Sequence, residues 1–416
     1  MELHRQLAQQ IPHFRDKLII IYGPRQVGKT YLITRTLRPN LILNMDVAAE
    51  RAQCKDLPTF ITQWYGREVG PFPDPHTGAM TTPAVKPVVF LDEIHKVRGW
   101  RDILKGTFDK TAHAIQYVAS GSSAFQLRQQ EKGDSLAGRA IWLPMHPVTF
   151  REYVMTVATD LRLPPPWEAG RPLHDTIRAV WPQHAHLRSL WDTYARFGGF
   201  PENLVRQDPV FFEQWLTDYI QAMLDRDLKD LHAARDVDRV HQVFRLLLGG
   251  SGSTYSLRSI AATLHVAPDT VKGDVAAIRQ VLWGFEVAPA ALSLARQIRK
   301  EKKFYPVDPC FYGYLRDDVG AARFECTVAC ALHRALPPAD IGYYRDYTHR
   351  EIDFIVGDRR RPLIAIECKL QPHVHHLTAF AQTVQPREAF LVVAAPGIFE
   401  PRNDYSIVSI ELIAVM

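Results

Sequence analysis

The feature that most constrains this chain is a glycine-rich loop between an apolar run and a helical pattern. Residues 17–22 read KLIIIY, which is typical of a buried strand. Residues 23–30 read GPRQVGKT and fit GxxxxGK[ST], and the helical pattern YLITRTLR follows. A chance glycine turn is the alternative. However, strand, loop and helix in this order are the context in which such a loop binds phosphate.

The loop predicts a nucleoside triphosphate site, with ATP and Mg²⁺ as the expected cofactors. Glycines let backbone N–H groups turn toward phosphate oxygens. Lys29 is expected to reach the β- and γ-phosphates, and Thr30 to bind Mg²⁺. The residues expected to contact the nucleotide are Gly23, Gln26, Val27, Gly28, Lys29, Thr30 and Tyr31.

A second apolar run ends in two carboxylates. Residues 88–91 read VVFL, and Asp92 and Glu93 follow them. We expect Asp92 to contact Mg²⁺, directly or through water, and Glu93 to orient and deprotonate an attacking water. The alternative is the start of a surface helix, where acidic residues are favoured. Beside a phosphate loop, the pair favours hydrolysis over phosphoryl transfer to another molecule.

Two more residues are candidates for the same site. Ser122 follows the apolar run IQYVA at 115–119, where its hydroxyl would contact the γ-phosphate or the water. Ordinary turn chemistry is the alternative for this serine. Arg139, in LAGRA, would stabilise charge in its own site or in that of a neighbouring subunit. A surface salt bridge is the alternative for this arginine.

Residues 256–282 carry the pattern of two short helices. Apolar positions recur at helical spacing on both sides of a turn at Val266, and Pro268 opens the second helix. This predicts a helix-turn-helix, winged by the basic stretch that follows, and hence DNA binding. A protein-docking module is the alternative, because Asp269 and Asp274 dilute the positive face. The expected DNA contacts are Thr270, Lys272, Arg279, Lys300, Lys302 and Lys303.

Two runs near the end of the sequence, EIDFIV at 351–356 and IAIECK at 364–369, predict adjacent strands. Period-two alternation places the two acidic residues of the first strand on one face, with Ile352 and Phe354 on the other.

Pairing of these strands would bring Asp353, Glu367 and Lys369 together, and Glu325 on the preceding helix would complete the group. Two carboxylates and a lysine form a D…ExK arrangement. In it, the carboxylates hold Mg²⁺ and the lysine positions or activates water. The alternative is a set of charges on the solvated face of a sheet, and a nuclease-type fold does not by itself carry nuclease chemistry.

Short apolar runs alternate with helical patterns in the first part of the chain, which favours a parallel α/β sheet. The Pro-rich segments at 66–87 and 163–172 are expected to be loops. The predicted units are a P-loop domain at 1–160, a helical lid at 161–240, a winged helix-turn-helix at 241–310 and a C-terminal α/β domain at 311–416.

Together these features resemble a group of bacterial and archaeal AAA-type ATPases that carry a C-terminal domain of unknown function related to PD-(D/E)xK nucleases. The resemblance covers nearly the whole chain. It rests on GPRQVGKT (23–30), FLDEIHKVRGW (90–100), ASGSSA (119–124), SLAGR (135–139), FGGFPE (197–202), LDRDL (224–228), FYPVDP (304–309) and EIDFIV with IAIECK (351–369).

The resemblance implies an AAA-type parallel sheet, a helical lid, a winged helix-turn-helix and a restriction-endonuclease-like α/β domain. It implies ATP and Mg²⁺ at Gly28, Lys29, Thr30, Asp92 and Glu93, and a nuclease-like site at Glu325, Asp353, Glu367 and Lys369. The insertion at 66–87 and the long segment at 160–186 depart from the family pattern and are candidate partner surfaces.

Three functions fit this sequence. The first is an ATP-hydrolysing, DNA-associated protein that couples nucleotide state to a nuclease-like domain. The second is a nucleotide-gated binding module, with a protein or DNA partner and a silent nuclease fold. The third is an ATP-regulated, Mg²⁺-dependent nuclease.

Composition narrows the class of protein. Of 416 residues, 46% are hydrophobic and 23% charged, which is typical of a globular chain. No run of about 18 apolar residues predicts a membrane span, and the first residues lack a signal-peptide pattern. Five scattered cysteines form no CxxC pair, which argues against zinc or disulfides and favours the reducing cytoplasm. The net charge of +5 permits nucleic-acid binding, and assembly into a homo-oligomer stays open.

Overall fold

The computed structural model of the chain divides into two compact units, Arg5–His146 and Pro147–Met416, with Met1–His4 assigned to the second. The sequence predicted the first boundary at 160, and the three units predicted after it lie in one compact unit. The residues described are 3–72, 85–122, 136–168, 171–228, 236–290, 301–315, 320–336, 340–346, 350–357, 363–371 and 376–416.

Within its described residues, the first unit is built on a five-stranded parallel sheet in the order β2-β3-β4-β1-β5. The parallel α/β prediction is thus confirmed, but β5 was not expected. It is an edge strand with only one buried residue, although its sequence AIWLP is apolar. The strands are β1 (Leu18–Tyr22), β2 (Leu41–Asn44), β3 (Val88–Asp92), β4 (Gln116–Gly121) and β5 (Ala140–Pro144).

The central strand β1 is covered on both faces, since the side chains of residues 18–21 are fully buried. The helices around the sheet are α1 (Leu7–Gln10), α2 (Lys29–Leu37), α3 (Ala48–Gln53), α4 (Leu57–Glu68) and α5 (Trp100–Thr111). Helix α4 continues past Gly66, where the loop was predicted to begin, because Trp64 and Tyr65 anchor its last turns in the core. Residues 73–84 of that segment lie outside the described residues.

The second unit begins with helices. The predicted break at FGGFP is confirmed, since one helix ends at Phe197 and the next begins at Pro201. No helix in the described part of the chain is long and apolar enough to cross a membrane. The helices are α6 (Phe150–Val157), α7 (Leu173–Val180), α8 (His184–Phe197), α9 (Pro201–Arg206), α10 (Pro209–Ala222), α11 (Val237–Gly249), α12 (Leu257–Thr263), α13 (Pro268–Gln280), α14 (Gly320–Ala335), α15 (Leu377–Val384) and α16 (Ile410–Ala414).

A mixed sheet of nine described strands joins the middle and the end of this unit, in the order β13-β14-β12-β11-β10-β9-β7-β8-β6. Strand β7 pairs antiparallel with β8 and in parallel with β9, where Ala288 faces Gly342. The strands are β6 (Thr254–Tyr255), β7 (Gly284–Pro289), β8 (Lys302–Pro306), β9 (Ile341–Arg345), β10 (Glu351–Val356), β11 (Ile364–Lys369), β12 (Glu388–Val393), β13 (Phe399–Pro401) and β14 (Ser406–Ser409).

Shorter turns connect these elements. A π-helical turn spans Met223–Leu228, directly after α10. The 3₁₀ turns are Ile11–Phe14, Cys54–Asp56, Ile94–Lys96, Trp181–Gln183 and Pro309–Tyr314.

Candidate functional site

The glycine-rich loop links the end of β1 to the start of α2. Gln26 and Gly28 have φ values of 60° and 92°, so the backbone turns through the left-handed region twice. At Gly23 a Cβ atom would lie 2.1 Å from the carbonyl oxygen of Met145, so only glycine fits. Helix α2 has no side-chain cap at its N-terminus, which leaves its positive end suited to a phosphate.

Lys29 lies inside this loop. Its side chain is buried, and its ammonium donates hydrogen bonds to the carbonyl oxygens of Gly23 at 2.9 Å and Pro24 at 2.8 Å. The loop thus surrounds the cation that would meet phosphate oxygens. Val27 is fully buried, so its side chain belongs to the core and only its backbone can face a nucleotide. Tyr31 is 46% exposed and lies beside Arg35, 5.5 Å from the ring centre.

Thr30 and Asp92 meet at the mouth of the loop. The Thr30 hydroxyl donates a 2.8 Å hydrogen bond to Oδ2 of Asp92, and the Ser120 hydroxyl donates to Oδ1. Asp92 is buried at the carboxyl end of β3. A hydroxyl and a carboxylate side by side are hard oxygen ligands of the kind that Mg²⁺ prefers. The chemistry of Thr30 and Asp92 therefore fits the expected Mg²⁺, and their role as its ligands stays a prediction.

Glu93 begins the turn after β3 with a left-handed φ of 53°. Its N–H donates to the Ser120 hydroxyl at 3.4 Å, which fixes the backbone next to Asp92. Its Oε2 lies 3.4 Å from Nδ1 of His95, and Nε2 of His95 lies 3.5 Å from the Ser122 hydroxyl. The buried His95 therefore links Glu93 to Ser122.

Sequence reasoning missed His95 as a site residue. The available signal was its position two residues after Glu93, in FLDEIHK. Only a 3₁₀ turn at Ile94–Lys96 brings the imidazole back toward the carboxylate. Ser122 lies where it was expected, directly after β4 at the carboxyl edge of the sheet.

Arg139 corrects an expectation. Strands β1 and β5 run parallel with Leu18 opposite Ala140, so Arg139 lies at the edge where the strands begin. The phosphate loop follows Tyr22 at the other edge, about 13 Å along the strand at 3.3 Å per residue. Arg139 forms a two-point ion pair with Asp109, at 2.6 and 3.1 Å. It therefore does not serve its own site, and a role in the site of a neighbouring subunit stays a prediction.

A second group of ionised side chains lies in the nine-stranded sheet. The N–H of Cys368, between Glu367 and Lys369, donates to Oδ2 of Asp353 at 2.8 Å. The ammonium of Lys369 lies 2.7 Å from Oε1 of Glu367. The Tyr305 hydroxyl donates to Oε1 of Glu325 at 2.5 Å. The structure thus brings together the four residues predicted for a nuclease-like site.

The strand alternation expected for residues 351–356 is broken. The register between β10 and β9 shifts between Ile352 and Ile355, and these two residues share one apolar cluster. Phe354 instead packs on Tyr305, with ring centres 5.7 Å apart. Phe354 therefore does not share a face with Ile352. A bulge has re-aimed this part of the strand, next to Asp353.

Lys303 also corrects an expectation. Its side chain is fully buried, so it cannot serve as the predicted DNA contact. Its ammonium lies 2.6 Å from Glu351, 3.0 Å from Glu325 and 3.3 Å from Asp353. Burial lowers the pKa of this lysine, but the three carboxylates more than compensate and hold it well above its ordinary value. Lys303 is thus a permanent cation among carboxylates.

The neighbouring carboxylates carry raised pKa values. Burial and the charge of Asp353 raise the pKa of Glu325 to about 7, against the attraction of Lys303. Burial and Asp353 likewise raise the pKa of Glu367 to about 7, against the attraction of Lys369. Crowded, desolvated carboxylates favour the protonated form, so this group is short of positive charge.

Three of the other predicted DNA contacts line a cavity of about 580 Å³ beside α13. Lys272 and Arg279 of this helix line it, together with Lys302 of β8 and Arg258. Thr270 is half-buried near the start of α13, and Lys300 lies outside the described residues. Asp274 does not dilute this surface as expected, because it is fully buried in an ion pair with Arg239 at 2.7 Å.

Part of this positive charge is already balanced. Arg279 and Lys302 each lie 2.8 Å from the buried Glu286, and the Tyr255 hydroxyl donates to the same carboxylate. Burial raises the pKa of Glu286, but the two cations outweigh it and hold that pKa below its usual value. Lys272 and Arg258 are thus left to give the cavity its net positive character.

The first unit has the defining features of one class of protein. A glycine loop between β1 and α2, a parallel sheet, and an acidic pair after β3 together define a P-loop nucleotide-binding domain. Residues 15–154 match the family described as AAA domain. Residues 188–320 and 321–413 match two domains of unknown function, DUF8612 and DUF4143. The chain therefore carries an AAA-type P-loop ATPase domain followed by two domains of unknown function.

Sequence similarity to other proteins extends over most of the chain. An uncharacterized protein of Methanocaldococcus jannaschii is 26% identical over 77% of this chain and 70% of its own length. An uncharacterized protein of Mycobacterium bovis is 20% identical over 84% of this chain and 69% of its own length. Among solved structures, a Walker-type ATPase of Pyrococcus abyssi is 14% identical, with a TM-score of 0.44 over 76% of this chain and 96% of that one. The nuclease relation of the C-terminal domain stays a prediction.

Proposed function

We propose that this protein binds ATP with Mg²⁺ at the loop of residues 23–30 and hydrolyses it. The observation that carries the proposal is the hydrogen bond from Thr30 to Asp92 at the mouth of the loop, with Glu93 as the next residue. The bond joins the start of α2 to the end of β3, which are the two elements that a nucleotide-bound Mg²⁺ must contact together.

Each residue has a distinct task in this proposal. Backbone N–H groups of the loop would hold the phosphates, and Lys29 would exchange its carbonyl partners for phosphate oxygens. Bound Mg²⁺ would neutralise charge on the β- and γ-phosphates. Glu93 would orient the attacking water and accept its proton, while His95 would hold the Glu93 carboxylate in place. ATP would leave as ADP and phosphate.

The test is steady-state phosphate release from ATP and Mg²⁺ by the full chain. Lys29→Ala is expected to lower turnover at least about 100-fold, because the lysine is the principal cation facing the transferred phosphate. The matched control is Lys55→Ala, which removes an exposed lysine of the same unit and should leave turnover unchanged. Equal turnover in the wild type and Lys29→Ala would refute the proposal.

We further propose that α12, α13 and the β7–β8 hairpin form a winged helix-turn-helix that binds DNA. The observation in favour is the cavity beside α13, since four of its lining residues are cations and two are carboxylates. Cations clustered beside a recognition helix are placed to contact phosphates. DNA binding would then stimulate ATP turnover. A protein partner, bound here or at the 66–87 insertion, is the alternative.

Fluorescence anisotropy with a labelled duplex tests this second function. Lys272→Ala should weaken binding and reduce the salt dependence of the affinity by about one ion. Arg402→Ala is the control, because this exposed arginine pairs with Glu400 and lies far from Lys272 in the sequence. Binding that is equally strong in both variants would exclude this surface, and turnover indifferent to DNA would favour a protein partner.

DNA cleavage is the third candidate function, and the charged residues of the nine-stranded sheet argue against it. The C-terminal helix and strands bring together Glu325, Asp353, Glu367 and Lys369, which supports a nuclease-like architecture. We propose that this architecture is catalytically silent. The support is Lys303, whose ammonium is already bound to the carboxylates that a metal would need.

A further inference from the structure

Four carboxylates converge on one buried place in the second unit, where α14, β10 and β11 meet. Lys303, from β8, contacts three of them directly, and its side chain has no solvent exposure. The Lys303 ammonium also lies 5.6 Å from the ring centre of Tyr343. The carboxylates are Glu325, Glu351, Asp353 and Glu367.

The charges of this cluster nearly cancel without any bound ion. Lys303 is joined by Lys369, 2.7 Å from Glu367, and by Arg345, whose Nε lies 3.5 Å from Oε2 of Glu351. Four negative groups thus face three positive ones.

Most carboxylate oxygens of the cluster already face a hydrogen-bond donor. Oδ1 of Asp353 faces Lys303, and Oδ2 accepts the N–H of Cys368. Oε1 of Glu367 faces Lys369, and only its Oε2 is buried without a hydrogen-bond partner. Mg²⁺ keeps several waters and binds through one or two carboxylates, and Lys303 already contacts those of Glu325 and Asp353. Among the described residues, no group of three or more His, Cys, Asp or Glu side chains is arranged to hold a metal ion.

We infer that Lys303 is the resident cation of this cluster and takes the place that a divalent metal would occupy among Glu325, Glu351 and Asp353. An ammonium and a metal ion cannot share these oxygens, because both need direct contact with them and they repel each other. The residues therefore do not fit the Mg²⁺ that a nuclease site requires. The cluster instead joins the β7–β8 hairpin to α14 and β10 by ion pairs.

The experiment measures Mn²⁺ binding to the nucleotide-free full chain by electron paramagnetic resonance. An Asp92→Asn background removes the carboxylate of the P-loop from the measurement. In this background, Asp353→Asn should leave Mn²⁺ binding unchanged, because the cluster itself binds no Mn²⁺. Adding Lys303→Met should create a site, so that the chain binds Mn²⁺ at least tenfold more tightly than the background chain does. Further addition of Asp353→Asn should remove this site. Mn²⁺ should also raise the melting temperature of the chain that carries Lys303→Met, but not that of the background chain.

The control is Arg402→Met, which removes the same charge from the surface of the same unit and should leave Mn²⁺ binding as in the background chain. Mn²⁺ binding by the background chain that is lost with Asp353→Asn would overturn the inference. So would a folded Lys303→Met chain that gains no Mn²⁺ site. If Lys303→Met does not fold, the comparison of the background chain with Asp353→Asn still decides the question.

Discussion

The hydroxyl of Thr30 donates a 2.8 Å hydrogen bond to Oδ2 of Asp92. This bond joins the first turn of the helix after the glycine loop to the end of a strand 62 residues later. The parallel order of β1, β4 and β3 makes the contact possible, since all three strands end at the same edge of the sheet. Residues predicted to bind the nucleotide and its Mg²⁺ therefore meet at one edge of the sheet.

Glu93→Gln should preserve ATP binding and stall hydrolysis. An amide keeps the size of the side chain but cannot accept the proton of the attacking water, so turnover should fall at least about 100-fold. Binding of a fluorescent ATP analogue should change by less than about twofold. Glu68→Gln, on the exposed end of α4, is the matched control with normal turnover. Wild-type turnover in Glu93→Gln would remove this residue from the reaction.

His95→Ala should lower kcat about tenfold and leave KM nearly unchanged. The imidazole lies 3.4 Å from the Glu93 carboxylate, so its loss would free a catalytic group without touching the phosphate loop. His95→Gln should recover part of kcat, because a polar side chain of similar reach can support the Glu93 carboxylate from the same side. A change in KM alone, or no recovery in His95→Gln, would contradict a positioning role.

Arg334→Met should destabilise the second unit by about 3–5 kcal/mol, because it leaves a buried carboxylate uncompensated. Asp308 has no exposed surface, and its Oδ2 lies 3.0 Å from Nη2 of Arg334. The same carboxylate accepts the N–H groups of Gly199 and Cys310, both at 3.0 Å. Urea unfolding measures the loss.

The matched control for that substitution is Arg206→Met. Arg206 forms an exposed pair with Glu202, so its loss should change the free energy of unfolding by less than about 1 kcal/mol. Equal effects of the two substitutions would show that the burial of Asp308 does not determine how much Arg334 contributes to the free energy of unfolding.

Stability should depend on pH through Glu367. Its pKa is raised to about 7 in the folded chain, chiefly by burial, so the folded state holds the proton more tightly than the unfolded one. The resulting stability is fully present below about pH 4.5 and is lost as pH rises through about 7. Glu367→Gln imitates the protonated form, so it should be more stable than the wild type at pH 8.

Thermal unfolding at a series of pH values checks this expectation. The advantage of Glu367→Gln should shrink as pH falls and vanish near pH 4.5. Glu202→Gln, on the exposed surface of α9, should give a profile parallel to that of the wild type. A constant difference between Glu367→Gln and the wild type at every pH would contradict the raised pKa.

Local and contiguous features were readable from the sequence. The loop of residues 23–30 needs only its own glycines and its neighbours, so the strand, the turn and the helix were all expected and are present. Strands β1 to β4 of the first sheet were also expected, because each contains a short apolar run. Strand β5 was not expected, although AIWLP is itself a short apolar run. The joining of β7 to β9 was not expected either, because long-range pairing leaves no local pattern.

The sequence by itself determined the phosphate loop and the acidic pair after β3, because backbone turn and strand order place these residues with little help from distant parts of the chain. Only the tertiary structure decided the roles of the isolated charges. Arg139 lies at the wrong edge of the sheet, and Lys303 is buried among carboxylates rather than on a DNA surface. A lone basic residue looks the same in sequence whether it faces water, a phosphate or an acid, and only its surroundings in space distinguish these cases.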